Sequence, residues 1–318
     1  MKRHPVIPFM VLALLLFMLP LSITAQQQSV NYDDVALLRW YPANLTASFH
    51  AGSNPSALAF DGSHIWVANY SAGTVTELQA NDGTLVGTFA VGSKPWSLAY
   101  DGANVWVAAF GDNKVIKVRA LDGNILGSFS AGKNPIGLAF DGTNIWATNW
   151  GGHNVSKLRP GDGAVVGTYN VGLNPWGIAS DGTNLWVANT GGNSVTKLQA
   201  SNGAVLGTFT VGSEPRGVAF DGANIWVSNW GSGNVTELRA SDGTILGTFA
   251  VGRLPMGVAF DGVDIWVANH GDGTVTKLRA SDGTTLGTFN TGAGPFGVAF
   301  DGANIWVANY WSGTVSKR

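Results

Sequence analysis

Carboxylates and aromatic rings are the side chains of this sequence that could do chemistry, and both recur at fixed spacing. Twelve Asp-Gly pairs in the expected A–B and C–D turns begin at Asp61, Asp82, Asp101, Asp122, Asp141, Asp162, Asp181, Asp221, Asp242, Asp261, Asp282 and Asp301. Ca²⁺ prefers oxygen ligands, but no pair shows a D-x-D-x-D spacing. Tight hairpin turns favour Asp-Gly on steric grounds. We therefore interpret these residues as turns, and the sequence predicts neither a metal site nor a cofactor.

Other catalytic sets are not found in the sequence. It contains no Cys, which excludes thiol chemistry and disulfide bonds, and no G-x-S-x-G nucleophile motif. The glutamates are too far apart in the repeat for an acid/base pair: Glu77, Glu214 and Glu237. The histidines beyond the N-terminal segment fall in different repeats or on different faces: His50, His64, His153 and His270. A site assembled from several repeats leaves no local motif, so an enzyme is kept as an alternative.

Aromatic residues concentrate at two variable points of the repeat, after the Asn that ends its second strand and after the Pro that begins its first. Both points are expected on one face, called the top face here. A surface rich in Trp, Tyr and Arg is typical of recognition sites, although such rings could also merely cover gaps in the scaffold. The candidate ligand-binding residues are Tyr70, Trp96, Phe110, Trp150, Trp176, Arg216, Trp230, His270, Phe296, Tyr310 and Trp311.

The scaffold that must position these residues is a repeat of forty residues. Its prolines coincide at Pro55, Pro95, Pro135, Pro175, Pro215, Pro255 and Pro295. Each unit holds four short apolar runs separated by Gly-rich turns, which predicts four strands, A to D. A four-stranded antiparallel unit of this length predicts an all-β fold, a seven-bladed β-propeller. An open β-solenoid is the alternative, but its repeats are usually shorter and it needs caps.

Residues that are alike in the seven repeats are expected to be structural. One Trp per strand B should pack between blades: Trp66, Trp106, Trp146, Trp186, Trp226, Trp266 and Trp306. Small residues on strand A, such as Ala59 and its equivalents every forty residues, should let the strands converge on a narrow channel. An Asn that ends strand B, such as Asn69, is expected to bond its own loop backbone.

The two ends of the chain suggest export and ring closure. Residues 1–25 resemble a signal peptide, with Lys2 and Arg3 before an apolar run, residues 26–34 form a polar lead-in, and residues 35–318 form a single domain. The segment 45–49 is expected to supply strand D of blade seven and close the ring. Residues 35–38 and 315–318 compete for strand C of that blade. We expect a secreted, periplasmic or cell-surface protein without a membrane span in its mature chain.

Composition limits the partners of the protein. Without Lys2 and Arg3, 16 of the 18 basic residues remain against 20 acidic ones, so the net charge of about −4 argues against nucleic-acid binding. The sequence predicts a monomer whose ligand is a protein, a glycan or a small molecule. The side of the top face formed by blades two to five is favoured: it carries Trp96, Trp150, Trp176, Trp230 and Arg216. Arg216 beside aromatic rings would suit a carboxylate, a sulfate or an acidic glycan.

The motifs W-V-A-N, G-T-V-T-K-L, L-G-T-F and V-G-x-x-P-x-G-V-A-F-D-G resemble the YVTN-type repeats of bacterial extracytoplasmic propellers, within the wider NHL-like group. The resemblance covers residues 35–318 and implies the architecture, while the group contains binding, surface and enzymatic members. The unit is also similar to that of streptogramin lyases, seven-bladed propellers that open cyclic peptide antibiotics with a metal held among Glu and His residues. This sequence departs from that pattern, because no Glu stands beside His270. The leading interpretation is a non-catalytic binding propeller. The alternatives are a streptogramin-lyase-like metal-dependent lyase or hydrolase and a purely structural surface protein.

Overall fold

The computed structural model describes residues 47–318, which form seven four-stranded antiparallel sheets. Each sheet is one blade, and its strands are called A to D from the innermost outward. The predicted seven-bladed β-propeller is therefore confirmed. The predicted signal peptide, the lead-in and residues 35–38 lie outside the described residues.

The strands follow one another in chain order. The first described strand is β1 (Ala47–His50). Blade one contains β2 (Pro55–Phe60), β3 (His64–Asn69), β4 (Thr74–Gln79) and β5 (Leu85–Ala90); blade two contains β6 (Pro95–Tyr100), β7 (Asn104–Ala109), β8 (Lys114–Arg119) and β9 (Ile125–Ser130). Blade three contains β10 (Pro135–Phe140), β11 (Ile145–Asn149), β12 (Asn154–Leu158) and β13 (Val165–Asn170); blade four contains β14 (Pro175–Ser180), β15 (Asn184–Asn189), β16 (Ser194–Gln199) and β17 (Val205–Thr210).

Blade five contains β18 (Pro215–Phe220), β19 (Asn224–Asn229), β20 (Asn234–Arg239) and β21 (Ile245–Ala250); blade six contains β22 (Pro255–Phe260), β23 (Asp264–Asn269), β24 (Thr274–Arg279) and β25 (Thr285–Asn290). Blade seven contains β26 (Pro295–Phe300), β27 (Ile305–Asn309) and β28 (Thr314–Lys317), with β1 as its outermost strand. Two short 3-10 helices, Phe110–Asp112 and Thr190–Gly192, lie in B–C connections. No helix in the described part of the chain is long and apolar enough to cross a membrane.

Blade seven combines strands from both ends of the described chain. β1 pairs antiparallel with β28, so that Phe49 lies opposite Val315. β28 holds the strand C position and pairs with β27 on its other side. Strand A of blade seven packs beside strand A of blade one, as each strand A does with the next, and this contact completes a ring of seven blades.

The strand B tryptophans fill the spaces between blades, as predicted. Trp66 is fully buried and packs against Leu98 and Val105 of blade two. Its indole Nε1 donates to Asp61 Oδ2 at 2.8 Å, and Asp61 Oδ1 accepts the backbone N–H of His64 at 2.7 Å. Burial alone would raise the pKa of Asp61, but these hydrogen bonds outweigh it and lower the pKa below its ordinary value. The Asp-Gly pair therefore closes the turn and also holds the Trp ring.

Two expectations about scaffold residues need correction. In five blades, neighbouring A strands come close at a glycine two residues before the repeated Ala; a Cβ on Gly137, for example, would lie 2.2 Å from the carbonyl oxygen of Trp176. Ala59 instead packs in the apolar layer between blades one and two. The amide of Asn69 donates to the hydroxyls of Thr74 and Thr76 on strand C, and not to its own loop backbone. Those side-chain acceptors are nearer, since strand C runs directly beside Asn69.

Candidate functional site

The top face owes its shape to an irregularity that all seven blades share. In each blade the register between strands A and B shifts just after the leading Pro. Such a bulge re-aims the neighbouring side chain. The residue after each Pro lines a cavity of about 160 Å³ on the axis of the ring. These residues are Ser56, Trp96, Ile136, Trp176, Arg216, Met256 and Phe296.

The eleven predicted ligand-binding residues form one connected set, which we call the aromatic bowl. Trp96 lies at its centre, with ring centroids 5.4 Å from Trp176, 5.7 Å from Phe296 and 4.7 Å from Tyr70. The remaining links are Tyr70–Tyr310, Trp96–Phe110, Phe110–Trp150, Phe296–Tyr310, His270–Tyr310, His270–Phe296, His270–Trp230 and His270–Trp311. Residues from all seven blades thus meet over the axial cavity.

Arg216 is the charged residue at the wall of the cavity. Its guanidinium lies between two indole rings, with Cζ 4.4 Å from the Trp176 centroid and 3.9 Å from the Trp230 centroid. The carboxylate of Glu214 lies 3.7 Å from its Nη2, and Nη1 contacts the Met256 sulfur at 3.6 Å. Burial lowers the pKa of Arg216 to about 10, against the opposing effect of Glu214. The group stays cationic at neutral pH.

Two buried N–H donors of the bowl lack a hydrogen-bond acceptor within residues 47–318. They are Arg216 Nε and Trp96 Nε1. Both residues line the axial cavity. Buried donors are nearly always paired in native proteins, and a donor left unpaired costs about 1–3 kcal/mol. The cavity is therefore suited to a ligand group that accepts hydrogen bonds and, because Arg216 is charged, to an anionic one.

His270 is held by the scaffold. It is 6% exposed, and its Nδ1 is 3.3 Å from the carbonyl oxygen of Pro295 in the next blade. Thr190 makes the equivalent contact in blade four, donating its hydroxyl to the carbonyl of Pro215 at 2.7 Å. Burial lowers the pKa of His270, although hydrogen bonds to the backbone of Pro295 and Gly294 oppose the change. The imidazole is neutral at pH 7 and bridges two blades.

The bowl does not fit the Glu and His metal set implied by the resemblance to streptogramin lyases. Its titratable side chains besides Arg216 are His270 and two tyrosines, and the ring contacts of His270 are aromatic. In the described chain, the group of His and carboxylate side chains that could hold a metal is Asp61, His64 and Glu77. This group belongs to the opposite face, called the bottom face here, where the A–B and C–D turns lie.

The predicted site residues differ in how deeply they sit. Trp150 and Trp311 are 36% and 61% exposed and form the rim, whereas His270 is buried. Ile136 and Met256, each 2% exposed, complete the floor of the bowl and were absent from the predicted set. Both residues directly follow the leading Pro of their repeat, and this position could have predicted their role. Their side chains are aliphatic, so they did not stand out among the aromatic residues at the equivalent positions. The bottom-face group was also missed, although its three members lie within one repeat and two of them depart from the residues that most other repeats carry.

Comparison with solved structures finds the same fold in characterised proteins. The chain is similar to Kuenenia stuttgartiensis hydrazine synthase, with a TM-score of 0.75 and 22% identity over 84% of this chain and 96% of that one. A streptogramin B lyase structure gives a TM-score of 0.74 and 19% identity, covering 86% and 96%. A catalytically inactive virginiamycin B lyase from Staphylococcus aureus with quinupristin gives 0.73 and 20%, covering 86% and 99%. No family model matches the sequence, and no curated protein matches it either. At these identities the likeness shows the propeller fold alone.

Proposed function

We propose that this protein is an exported propeller of the YVTN or NHL-like type that binds a protein, glycan or small molecule through the aromatic bowl without catalysing a reaction. The observation that carries the proposal is the pair of buried donors, Arg216 Nε and Trp96 Nε1, at one cavity. A ligand that brought an acceptor beside these two side chains would offer the donors a partner. Binding would therefore supply the hydrogen bonds that these two donors lack in the free protein.

The size of the cavity limits what enters it. Sites for complete small molecules usually measure about 300–1,000 Å³, whereas the axial cavity measures about 160 Å³. It would hold an end group such as a carboxylate or a sulfate, while the rest of the ligand lies on the rings. Trp150 and Trp311 offer exposed ring surface at the rim, and such rings suit sugars and aromatic side chains alike.

The test begins with a glycan and peptide array screened with the protein lacking residues 1–25. The ligand it identifies is then titrated calorimetrically against Trp176→Ala and Arg216→Met, with bottom-face Asp242→Asn as the matched control. Each bowl substitution should weaken binding by about 1–3 kcal/mol with the fold intact, and the control should leave affinity unchanged. Loss of binding in the Asp242 variant alone would place the functional face on the other side of the ring.

A metal-dependent lyase or hydrolase of the streptogramin-lyase kind is the second candidate; the propeller fold shared with such lyases favours it, whereas the lack of a Glu and His metal set in the bowl opposes it. Its experiment is turnover of a cyclic depsipeptide with and without a chelator, in the wild type and in His270→Ala. An enzyme would lose turnover under both treatments. A binding protein would show no turnover, and its ligand affinity would survive chelation.

A further inference from the structure

One position of strand C distinguishes the blades on the bottom face. Five blades carry a Lys there: Lys117, Lys157, Lys197, Lys277 and Lys317. Each ammonium lies over the strand B Trp of its own blade, and Lys157 Nζ, for example, is 5.1 Å from the Trp146 centroid. Lys157 Nζ also donates to the carbonyl of Ala200 in the next blade at 2.7 Å. Most blades therefore keep a cation in this place.

Blades one and five carry Glu77 and Glu237 instead. In blade five an amide pairs with the carboxylate: Asn224 Nδ2 donates a hydrogen bond to Glu237 Oε1 at 2.7 Å. In blade one the residue equivalent to Asn224 is His64. Its Nδ1 lies 3.2 Å from Asp61 Oδ2 and 3.3 Å from Glu77 Oε1. Blade one thus replaces a lysine and an amide by a carboxylate and an imidazole.

Both carboxylates of blade one are buried beyond the usual level for charged groups. The side chains of Asp61 and Glu77 are each 6% exposed, and that of His64 is 25% exposed. Buried carboxylates at close range repel each other, and either a cation between them or protonation of one of them relieves the repulsion. Blade six shows the first arrangement, with Lys277 Nζ 2.9 Å from Asp264 Oδ2 and 3.7 Å from Asp261 Oδ2. The lysine cation is the component that blade one lacks.

The distances in blade one match those between ligands of one metal ion. Two ligands at about 2.0–2.2 Å from a tetrahedral Zn²⁺ lie roughly 3.3–3.5 Å apart, close to the two distances from His64 Nδ1. The ligand atoms of Asp61, His64 and Glu77 all lie within 4.8 Å of one another. One imidazole nitrogen with two carboxylates is a ligand set that suits zinc better than calcium, which takes six or more oxygens.

The group can be reached from solvent. An open depression between blades one and two is lined by Asp61 and His64 on one side and by Ala120 and Leu121 on the other. These last two residues are equivalent to Ala200 and Ser201, whose carbonyl oxygens accept hydrogen bonds from the ammonium of Lys157 in blade three. An ion entering this depression would meet its ligands at the place where other blades hold their lysine.

We propose that Asp61, His64 and Glu77 bind a divalent transition-metal ion of the zinc class on the bottom face, in place of the lysine ammonium of other blades. The ion joins two buried carboxylates within blade one, next to blade two. Water completes its coordination from the open depression. The site is separate from the aromatic bowl and does not depend on the function proposed for it.

The experiment uses protein treated with EDTA and dialysed, titrated with ZnCl₂ by calorimetry and followed by thermal unfolding. The expected result is one Zn²⁺ per chain and a rise in Tm, since a ligand of the native state stabilises it, while CaCl₂ has no effect. His64→Asn recreates the blade-five group, and Glu77→Lys recreates the common lysine. Both should fold, as judged by circular dichroism. Zn²⁺ affinity should fall at least about tenfold, since even outer partners of a metal ligand contribute that much.

Glu237→Lys in blade five is the matched control, and it should leave zinc binding unchanged. The proposal is overturned if the wild type shows no saturable Zn²⁺ binding, since the three side chains would then be an ion-pair network only. It is equally overturned if His64→Asn keeps the wild-type affinity, or if Ca²⁺ raises Tm while Zn²⁺ does not. His64→Asn alone decides the matter if Glu77→Lys fails to fold.

Discussion

Replacing Arg216 by Met tests whether the arginine serves a ligand or the scaffold. Two opposing terms set the stability of the free protein. Lowering the pKa of Arg216 to about 10 disfavours its charged form by roughly 3 kcal/mol, at about 1.4 kcal/mol for each pKa unit. Stacking between Trp176 and Trp230 returns about 1–2 kcal/mol for each desolvated cation–π contact. The two terms nearly cancel.

Met already occupies the equivalent position in blade six, where Met256 is buried. Its side chain can therefore fill the space beside the rings without strain on the backbone. We expect Arg216→Met to change the free energy of unfolding by less than about 1 kcal/mol, while the ligand affinity of the bowl falls. Ile136→Ala, at the same repeat position in blade three and fully buried there, should cost about 2–5 kcal/mol.

The assay is urea denaturation followed by tryptophan fluorescence, with the slope of the transition checked for constancy among the variants. A loss in Arg216→Met as large as that in Ile136→Ala would refute the reasoning. Arg216 would then be part of the scaffold that supports the indole rings, and its unpaired Nε would carry no functional meaning.

Three further outcomes are expected. Trp226→Ala should cost about 3–5 kcal/mol, because it empties the space between blades five and six, whereas Trp230→Ala in the bowl should cost about 1–2 kcal/mol; equal losses in urea denaturation would make the bowl a scaffold. The pKa of His270 is lowered in the folded state, so the unfolded state takes up a proton first. Stability should therefore decline as pH falls below about 6.5, by a larger amount than in His270→Gln; identical pH profiles would contradict this. Deleting residues 1–52 removes β1 and exposes the edge of β28, so Tm should drop and aggregation rise, and an unchanged monomer would disprove closure by β1.

The architecture could be predicted because the sequence features that produce it recur in each repeat. The forty-residue period, the turn pairs and the strand B Trp occur in each unit, and any one unit states the rule for all of them. Trp66 and Asp61 illustrate this. They lie five positions apart in the sequence of one blade and share a hydrogen bond. The role of Asn69 was less evident, because its partners Thr74 and Thr76 become neighbours only when strand C lies beside strand B.

The geometry of the bowl could not be predicted from a single repeat. Arg216 meets Trp176 from the preceding blade and Trp230 from its own B–C connection, and neither contact follows from one repeat. The bulge after each Pro directs these side chains to the axis, and the Pro by itself does not predict a bulge. The bottom-face group, by contrast, had a visible signal. Glu77 stands where five other repeats have Lys, and His64 stands where most have Asn.

The central claim is that the bowl holds a ligand group that accepts hydrogen bonds from Arg216 and Trp96. Its most direct test is a parallel screen of the wild type and Arg216→Met on the same glycan and peptide arrays. The account predicts that the wild type retains a ligand bearing an anionic or strongly accepting end group, and that the variant loses it while remaining folded. Retention of the same ligands by both proteins, or of none by the wild type, would contradict it.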